Sequence, residues 1–195
     1  MNFELAEEHR MLKDLARKFV DSQLMPLESD VLARETAGKG SYLTTDEQTR
    51  VDLVSKDLGL WGLDAPVEVG GMNLPMVAMV GVGEELGRTV TPYTIPPDSP
   101  NLRMMMAAAD EKQREHYLAP YVRGETISAI GISEPGAGAD PQLMKTTAVQ
   151  DGDDWVINGQ KVWTSGAHYS DYGILLTRTD PSALKHKGLT MFIVN

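Results

Sequence analysis

A change of hydrophobic rhythm near residue 125 constrains this chain more than any other feature. Before it, apolar residues recur at the three- and four-residue steps of a helix. After it, they fall in short runs separated by Gly- and Asp-containing turns. Leu12, Leu15, Ala16 and Phe19 form one stripe of an amphipathic helix, which Pro26 is expected to end. Thr45 with Gln48 reads as a capping box, opening a helix with Val51, Val54 and Leu58 on its inner face and Gly59 placed to stop it. Pro75 suits the first turn of a helix running to about Leu86 and closed by Gly87. Asp110 and Gln113 form a cap-like pair before a helix carrying Tyr117, Leu118 and Tyr121. Residues 91–100 include Pro92, Pro96, Pro97 and Pro100 and are expected to be irregular.

After Gly124, residues 127–133 read as a strand. Asp151-Gly152 and Asn158-Gly159 are dipeptides suited to tight hairpin turns, because positive φ costs little there. Residues 146–150, 154–157 and 160–164 are therefore expected to form a meander. Residues 172–179 and 189–194 add two strands around a turn at Asp180-Pro181. No internal repeat is visible. The expectation is an α+β chain, with an N-terminal all-α domain over residues 1–125 and an incomplete antiparallel β-barrel-like domain over 126–195. A sheet that stops on an apolar strand at Asn195, with nothing to cover its other face, is expected to belong to something larger.

Charge and composition exclude several functions. The 195 residues carry a formal net charge of -10, which argues against nucleic acid, since phosphate binding needs clustered Lys and Arg. The absence of cysteine removes disulfides, thiolate metal sites and a cysteine nucleophile. His9, His116, His168 and His186 have no metal-ligand spacing, so no metal is assigned. The acidic N-terminus lacks a signal-peptide core, and the longest apolar run, 104–109, is too short to span a bilayer. A cytoplasmic protein is expected. Met104, Met105 and Met106 suit either a core or a substrate pocket, since methionine fills irregular apolar gaps in both.

Two segments carry candidate chemistry. Residues 130–141, Ile-Gly-Ile-Ser-Glu-Pro-Gly-Ala-Gly-Ala-Asp-Pro, run from a strand into a loop where Gly136 and Gly138 let backbone N–H groups approach a ligand. This is neither a dinucleotide fingerprint nor a Walker loop. Residues 158–167, Asn-Gly-Gln-Lys-Val-Trp-Thr-Ser-Gly-Ala, place a Trp and two hydroxyls after a turn. Taken singly, they read as a Gly-rich turn and a core tryptophan.

Together and in this order, they resemble the E-P-G-A-G-S-D and N-G-x-K-x-W-I-T stretches of the acyl-CoA dehydrogenase family. The likeness extends to the Leu-Gly-Leu-Trp-Gly-Leu run at 58–63, to Pro66 through Gly71, to Glu84-Glu85-Leu86-Gly87, and to 110–118 with Gly124-Glu125. The resemblance implies an N-terminal helical domain, a middle β domain and a C-terminal four-helix domain that has no counterpart here. FAD lies between the last two, with contributions from a neighbouring subunit. By position, Ile130, Gly131, Ile132 and Ser133 would run beside the flavin ring, with the Ser133 hydroxyl donating to its polar edge. Trp163 would pack on the ring. Thr164 stands where an apolar residue is usual, and Ser165 stands where a threonine bonds near N5. Ala139 replaces a serine that contacts the bound substrate, and Ile130 and Gly131 replace bulkier residues.

The implied reaction is α,β-dehydrogenation of an acyl-CoA thioester. A carboxylate takes the α-proton, hydride goes to flavin N5, and an electron-transfer flavoprotein or similar acceptor follows. The family's base is a glutamate of the C-terminal domain, so no catalytic residue is assigned in this chain, which alone is expected to be inactive. Glu134 belongs to the loop, and Glu84 with Glu85 reads as a solvated helix face. The resemblance also implies a role in fatty acid or lipid metabolism and a homodimer, homotetramer or heteromer. Alternatives are a non-catalytic subunit of a heteromeric dehydrogenase, or a flavin oxidase, nitroalkane-oxidising enzyme or monooxygenase of the same fold.

Overall fold

The computed structural model describes residues 4–97 and 99–195; Met1–Phe3 and Asp98 lie outside the described residues. The chain divides into two compact units, Met1–Ser99 and Pro100–Asn195.

In the first unit, α1 (Glu7–Phe19) does not end at Pro26. It runs through a π-helical turn, Val20–Leu24, and a 3-10 turn, Met25–Leu27, into α2 (Glu28–Thr36). Pro26 sits in the first positions of the 3-10 turn, where its missing N–H leaves no bond unmade. The residues that drive the turn inward are apolar. Phe19, Val20, Leu24 and Leu27 form a buried cluster with Val51 and Leu60, and Ala16 packs with Leu63 and Val82 in a second cluster.

Helix α3 (Thr45–Asp57) is capped one residue earlier than expected, by Thr44. Thr44 Oγ1 accepts the Glu47 N–H, and the Glu47 carboxylate accepts the Thr44 N–H at 2.8 Å. Both Thr44/Glu47 and Thr45/Gln48 satisfy the capping pattern. Arg34 decides between them by gripping Glu47 with two bonds of 3.1 and 2.8 Å, while Gln48 turns to Asp52. Val51 points inward as expected, but Leu58 is exposed at the C-cap. Ser55 takes an inward place, linked to Tyr93 Oη and to the Trp61 indole N–H. Helix α4 (Met76–Leu86) follows Pro75 and ends at Gly87 as expected.

Glu84 and Glu85 do not share a solvated face. Glu84 is exposed beside Lys13. Glu85 is 2% exposed and joins α4 to α1, accepting from Arg17 Nη2 at 2.8 Å and Nε at 3.1 Å, and from Arg88 at 3.1 Å. These bonds hold its carboxyl below the ordinary range, against the opposing effect of burial.

In the second unit, α5 (Ser99–Ala108) begins inside the stretch expected to be irregular, with Pro100 in its first turn. The Asp110/Gln113 capping box forms as expected and opens α6 (Glu111–Gln113), which continues through a π turn, Arg114–Leu118, into α7 (Ala119–Val122). Tyr172 anchors these helices to the sheet. Its ring lies 5.0 Å from that of Tyr117 and 6.5 Å from that of Tyr121, and its hydroxyl meets Met105 Sδ at 3.4 Å. Met105 is therefore core.

Among the described residues the strands are β1 (Ser128–Gly131), β2 (Thr147–Asp151), β3 (Asp154–Asn158), β4 (Tyr172–Arg178) and β5 (Leu189–Val194). Strands β2 and β3 form the expected hairpin, with Gly152 in positive φ. The sheet is mixed rather than antiparallel, and it is open rather than barrel-closed. β4 is its hub, parallel to β1, antiparallel to β5, and bridged to β2 at Thr147–Arg178. The parallel pair follows from connectivity: the chain leaves β1, builds the hairpin elsewhere, and returns by a long crossover to enter β4 in the same direction. Among the described residues no helix is long and apolar enough to cross a membrane.

Candidate functional site

Strand β1 delivers residues 128–131 and leads directly into Ile132, Ser133 and the Gly-rich loop. That loop begins with a tight turn, in which Glu134 and Ala137 exchange backbone hydrogen bonds of 2.8 and 3.2 Å. Asp140 then caps a 3-10 turn by accepting the Gln142 N–H. Gly136 and Gly138 have no positive φ, and a Cβ on either would meet nothing. Neither local conformation nor packing within the chain requires glycine there, and the space above them is open.

The second segment does not form the third strand of a meander. Asn158-Gly159 is not a hairpin turn, because Gly159 has no positive φ. It is small for another reason: a Cβ there would lie 2.6 Å from Thr146 Cα, at the edge where β2 begins. After this close approach, residues 159–164 leave the sheet and run beside the end of β1. Val162 N–H donates to the Ser133 carbonyl at 2.9 Å, and Lys161 Nζ donates to the Ile132 carbonyl at 3.1 Å. The two motif segments are thus in direct contact.

Glu134 and Lys161 make the centre of that contact. Their side chains are 6% and 9% exposed and pair at 3.0 Å. The carboxylate also accepts the Lys145 N–H at 2.6 Å and the Thr146 N–H at 2.8 Å. Burial pushes its pKa up, but the bonds from Thr146, Lys145 and Lys161 outweigh that and hold it down to about 2. A carboxylate so saturated and so weakly basic is no proton acceptor for a carbon acid near neutral pH. Lys161 did not stand out by sequence reasoning. The available signal was an opposite charge in each motif, which carries meaning only once the two segments are known to touch.

Trp163 follows at once. Its φ is 61°, a left-handed conformation uncommon for a bulky residue, and it is 89% exposed. It is not a core tryptophan. Ile130, Ile132, Ser133 and Thr164 are half-buried, and Ser165 is exposed. A pocket of about 260 Å³ is lined in part by Gly131, Thr164, Ala167, Ser170, Leu175 and Val194. The structure therefore joins the 130–133 and 161–165 segments, and it puts Gly131 and Thr164 on one pocket. Ala139 lies apart, exposed on the Gly-rich loop and outside that pocket's lining.

Residues 6–125 match the family model for the acyl-CoA dehydrogenase N-terminal domain, and residues 129–195 match that for the middle domain. The chain belongs to the acyl-CoA dehydrogenase family. All of it aligns, at 36% identity, with half of (R)-benzylsuccinyl-CoA dehydrogenase from Thauera aromatica. A solved structure assigned as an acyl-CoA dehydrogenase from Mycobacterium abscessus superposes with a TM-score of 0.83 at 28% identity, covering 98% of this chain and 51% of that one. The ChsE4–ChsE5 complex from Mycobacterium tuberculosis gives 0.79 at 30% identity, covering 100% and 48%. The chain spans about half the length of the curated relatives it matches.

Proposed function

We propose that these residues form the N-terminal and middle part of an FAD-dependent acyl-CoA dehydrogenase, with 130–133 and 163–165 as one wall of the flavin site. The observation that carries this reading is Trp163: a large indole, 89% exposed, held in a left-handed conformation directly after Val162, whose N–H is bonded to the Ser133 carbonyl. Exposed aromatic surface held at a cost in backbone strain is expected where a flat ligand will cover it. The surroundings fit a flavin. Ile130 and Ile132 offer apolar contact, backbone groups and the Ser133 and Ser165 hydroxyls offer polar contact, and the open space over Gly136 and Gly138 admits close approach of a ligand backbone.

Bound flavin supplies the acceptor for the hydride that leaves the β-carbon of an acyl thioester. The chain's own part is to exclude water with Trp163 and to present fixed donors where charge accumulates. Glu134 takes no proton, so the base that removes the α-proton comes from outside these residues. An acyl-CoA substrate, an electron-transfer flavoprotein as acceptor, a cytoplasmic setting and a multimeric enzyme belong to the same reading. A second reading, in which the chain serves as a non-catalytic subunit beside a related partner, is favoured by the likeness to a two-protein complex.

The test is FAD titration of the purified chain, followed by flavin fluorescence. Saturable binding that weakens at least tenfold in Trp163→Leu is expected. Binding unchanged by that substitution would remove the wall from this position. In the assembled enzyme, anaerobic bleaching of the flavin by a panel of acyl-CoAs separates dehydrogenase from oxidase, and failure of every thioester to bleach it rejects the first reading.

A further inference from the structure

We infer that the Glu134–Lys161 pair is a positioning clamp that holds the Trp163 indole in its displayed conformation, a role that rests on the flavin-wall reading for its purpose but not for its geometry. Lys161 has three N–H donors, and three acceptors surround it: Glu134 Oε1 at 3.0 Å, the Ile132 carbonyl at 3.1 Å and Met144 Sδ at 3.9 Å. Two of these lie at the end of β1 and the start of the Gly-rich loop. One ammonium thus pins residue 161 against the backbone that leads into residues 133–137. The next residue, Val162, is pinned in turn to the Ser133 carbonyl. Trp163 emerges from two consecutive anchored residues, which leave its backbone little freedom to relax from φ 61°.

Glu134 is anchored independently of Lys161. Its carboxylate accepts two successive backbone N–H groups, those of Lys145 and Thr146, just before β2. The clamp therefore ties three places to one point: the end of β1, the approach to β2, and the segment that displays the indole. Neither charged group is placed to touch a ligand, since both side chains are at least nine-tenths buried. The pair acts through Trp163, as a positioning element rather than a catalytic one.

The test uses the 195-residue chain labelled with 5-fluorotryptophan, which gives three 19F resonances, for Trp61, Trp155 and Trp163. The third is assigned by its loss in Trp163→Phe. In Lys161→Met, the Trp163 resonance is expected to broaden or shift while those of Trp61 and Trp155 stay in place; Lys161→Arg is expected to keep the native spectrum. Trp155 sits in β3 against Phe192 and reports the integrity of the sheet. If Lys161→Met does not fold, Glu134→Gln is read by the same three signals. An unmoved Trp163 resonance in the folded variant overturns the clamp, and so does one that moves only together with Trp155. Adding FAD to the wild-type chain then tests the flavin wall separately. No perturbation of Trp163 by FAD counts against the wall and leaves the clamp judged by the apo spectra alone.

Discussion

Glu85 in the first unit and Glu134 in the second are both buried carboxylates with cationic partners, and their surroundings treat them in opposite ways. Glu85 is 2% exposed, but its partners Arg17 and Arg88 are 51% and 39% exposed, so the cations stay in water while the carboxylate enters the packing of α1 on α4. Glu134 and Lys161 are both dry. The first arrangement is a staple whose cations can return to solvent. The second has no such retreat, because the two buried charges depend on each other, on backbone groups and, for Lys161, on the Met144 sulfur. A dry ion pair is a poor way to gain stability but a good way to fix geometry. It occurs where the two motif segments meet.

The contrast can be broken most directly at Lys161. Lys161→Met leaves a buried carboxylate without its cation and is expected to cost about 3–5 kcal/mol in urea unfolding. A loss below about 1 kcal/mol would erase the distinction between the two sites. Glu85→Gln keeps the shape of the staple while its guanidiniums rehydrate, so about 1–2 kcal/mol is expected from the same measurement.

Acid sharpens the comparison. Both carboxyls have folded pKa values below their unfolded ones, so each stabilises the fold above the unfolded value, and that contribution is lost as pH falls through the folded value. For Glu134 the loss extends down to about pH 2. Stability measured against pH should therefore decline below about pH 4.5, and the steepest part should flatten in Glu134→Gln. A decline with the same slope in that variant would mean other groups carry it.

The smallest expected effect has the opposite sign. Trp163→Asn replaces a mostly exposed indole by a residue that tolerates left-handed φ, and it is expected to raise stability by about 1 kcal/mol. It should also abolish the FAD response. A variant that loses stability would show that the indole packs within the chain after all.

Much of the architecture was legible from residue order. The helices of 45–57 and 76–86, the Asp110/Gln113 box, the hairpin at Gly152 and the strands at 172–178 and 189–194 are all marked by residue patterns a few positions long. The two motif segments were legible as candidates for the same reason. What went unread involves partners far along the chain. Pro26 ends no helix, because the apolar side chains around it find Val51 and Leu60. Thr44 rather than Thr45 caps α3, because Arg34 reaches Glu47 across 13 positions. Glu85 is buried, because Arg17 meets it across 68.

Local pattern thus settled which segments are helical, which are extended, and which residues were worth watching. Packing settled direction and contact: that β1 runs parallel to β4, that Gly159 is small to clear Thr146 rather than to make a turn, and that Trp163 faces outward. Propensity and capping act over one or two turns of chain and leave their mark in neighbouring letters. Strand direction, close backbone approach and the burial of an ion pair depend on which distant groups arrive at the same place, and only the assembled fold brings them there.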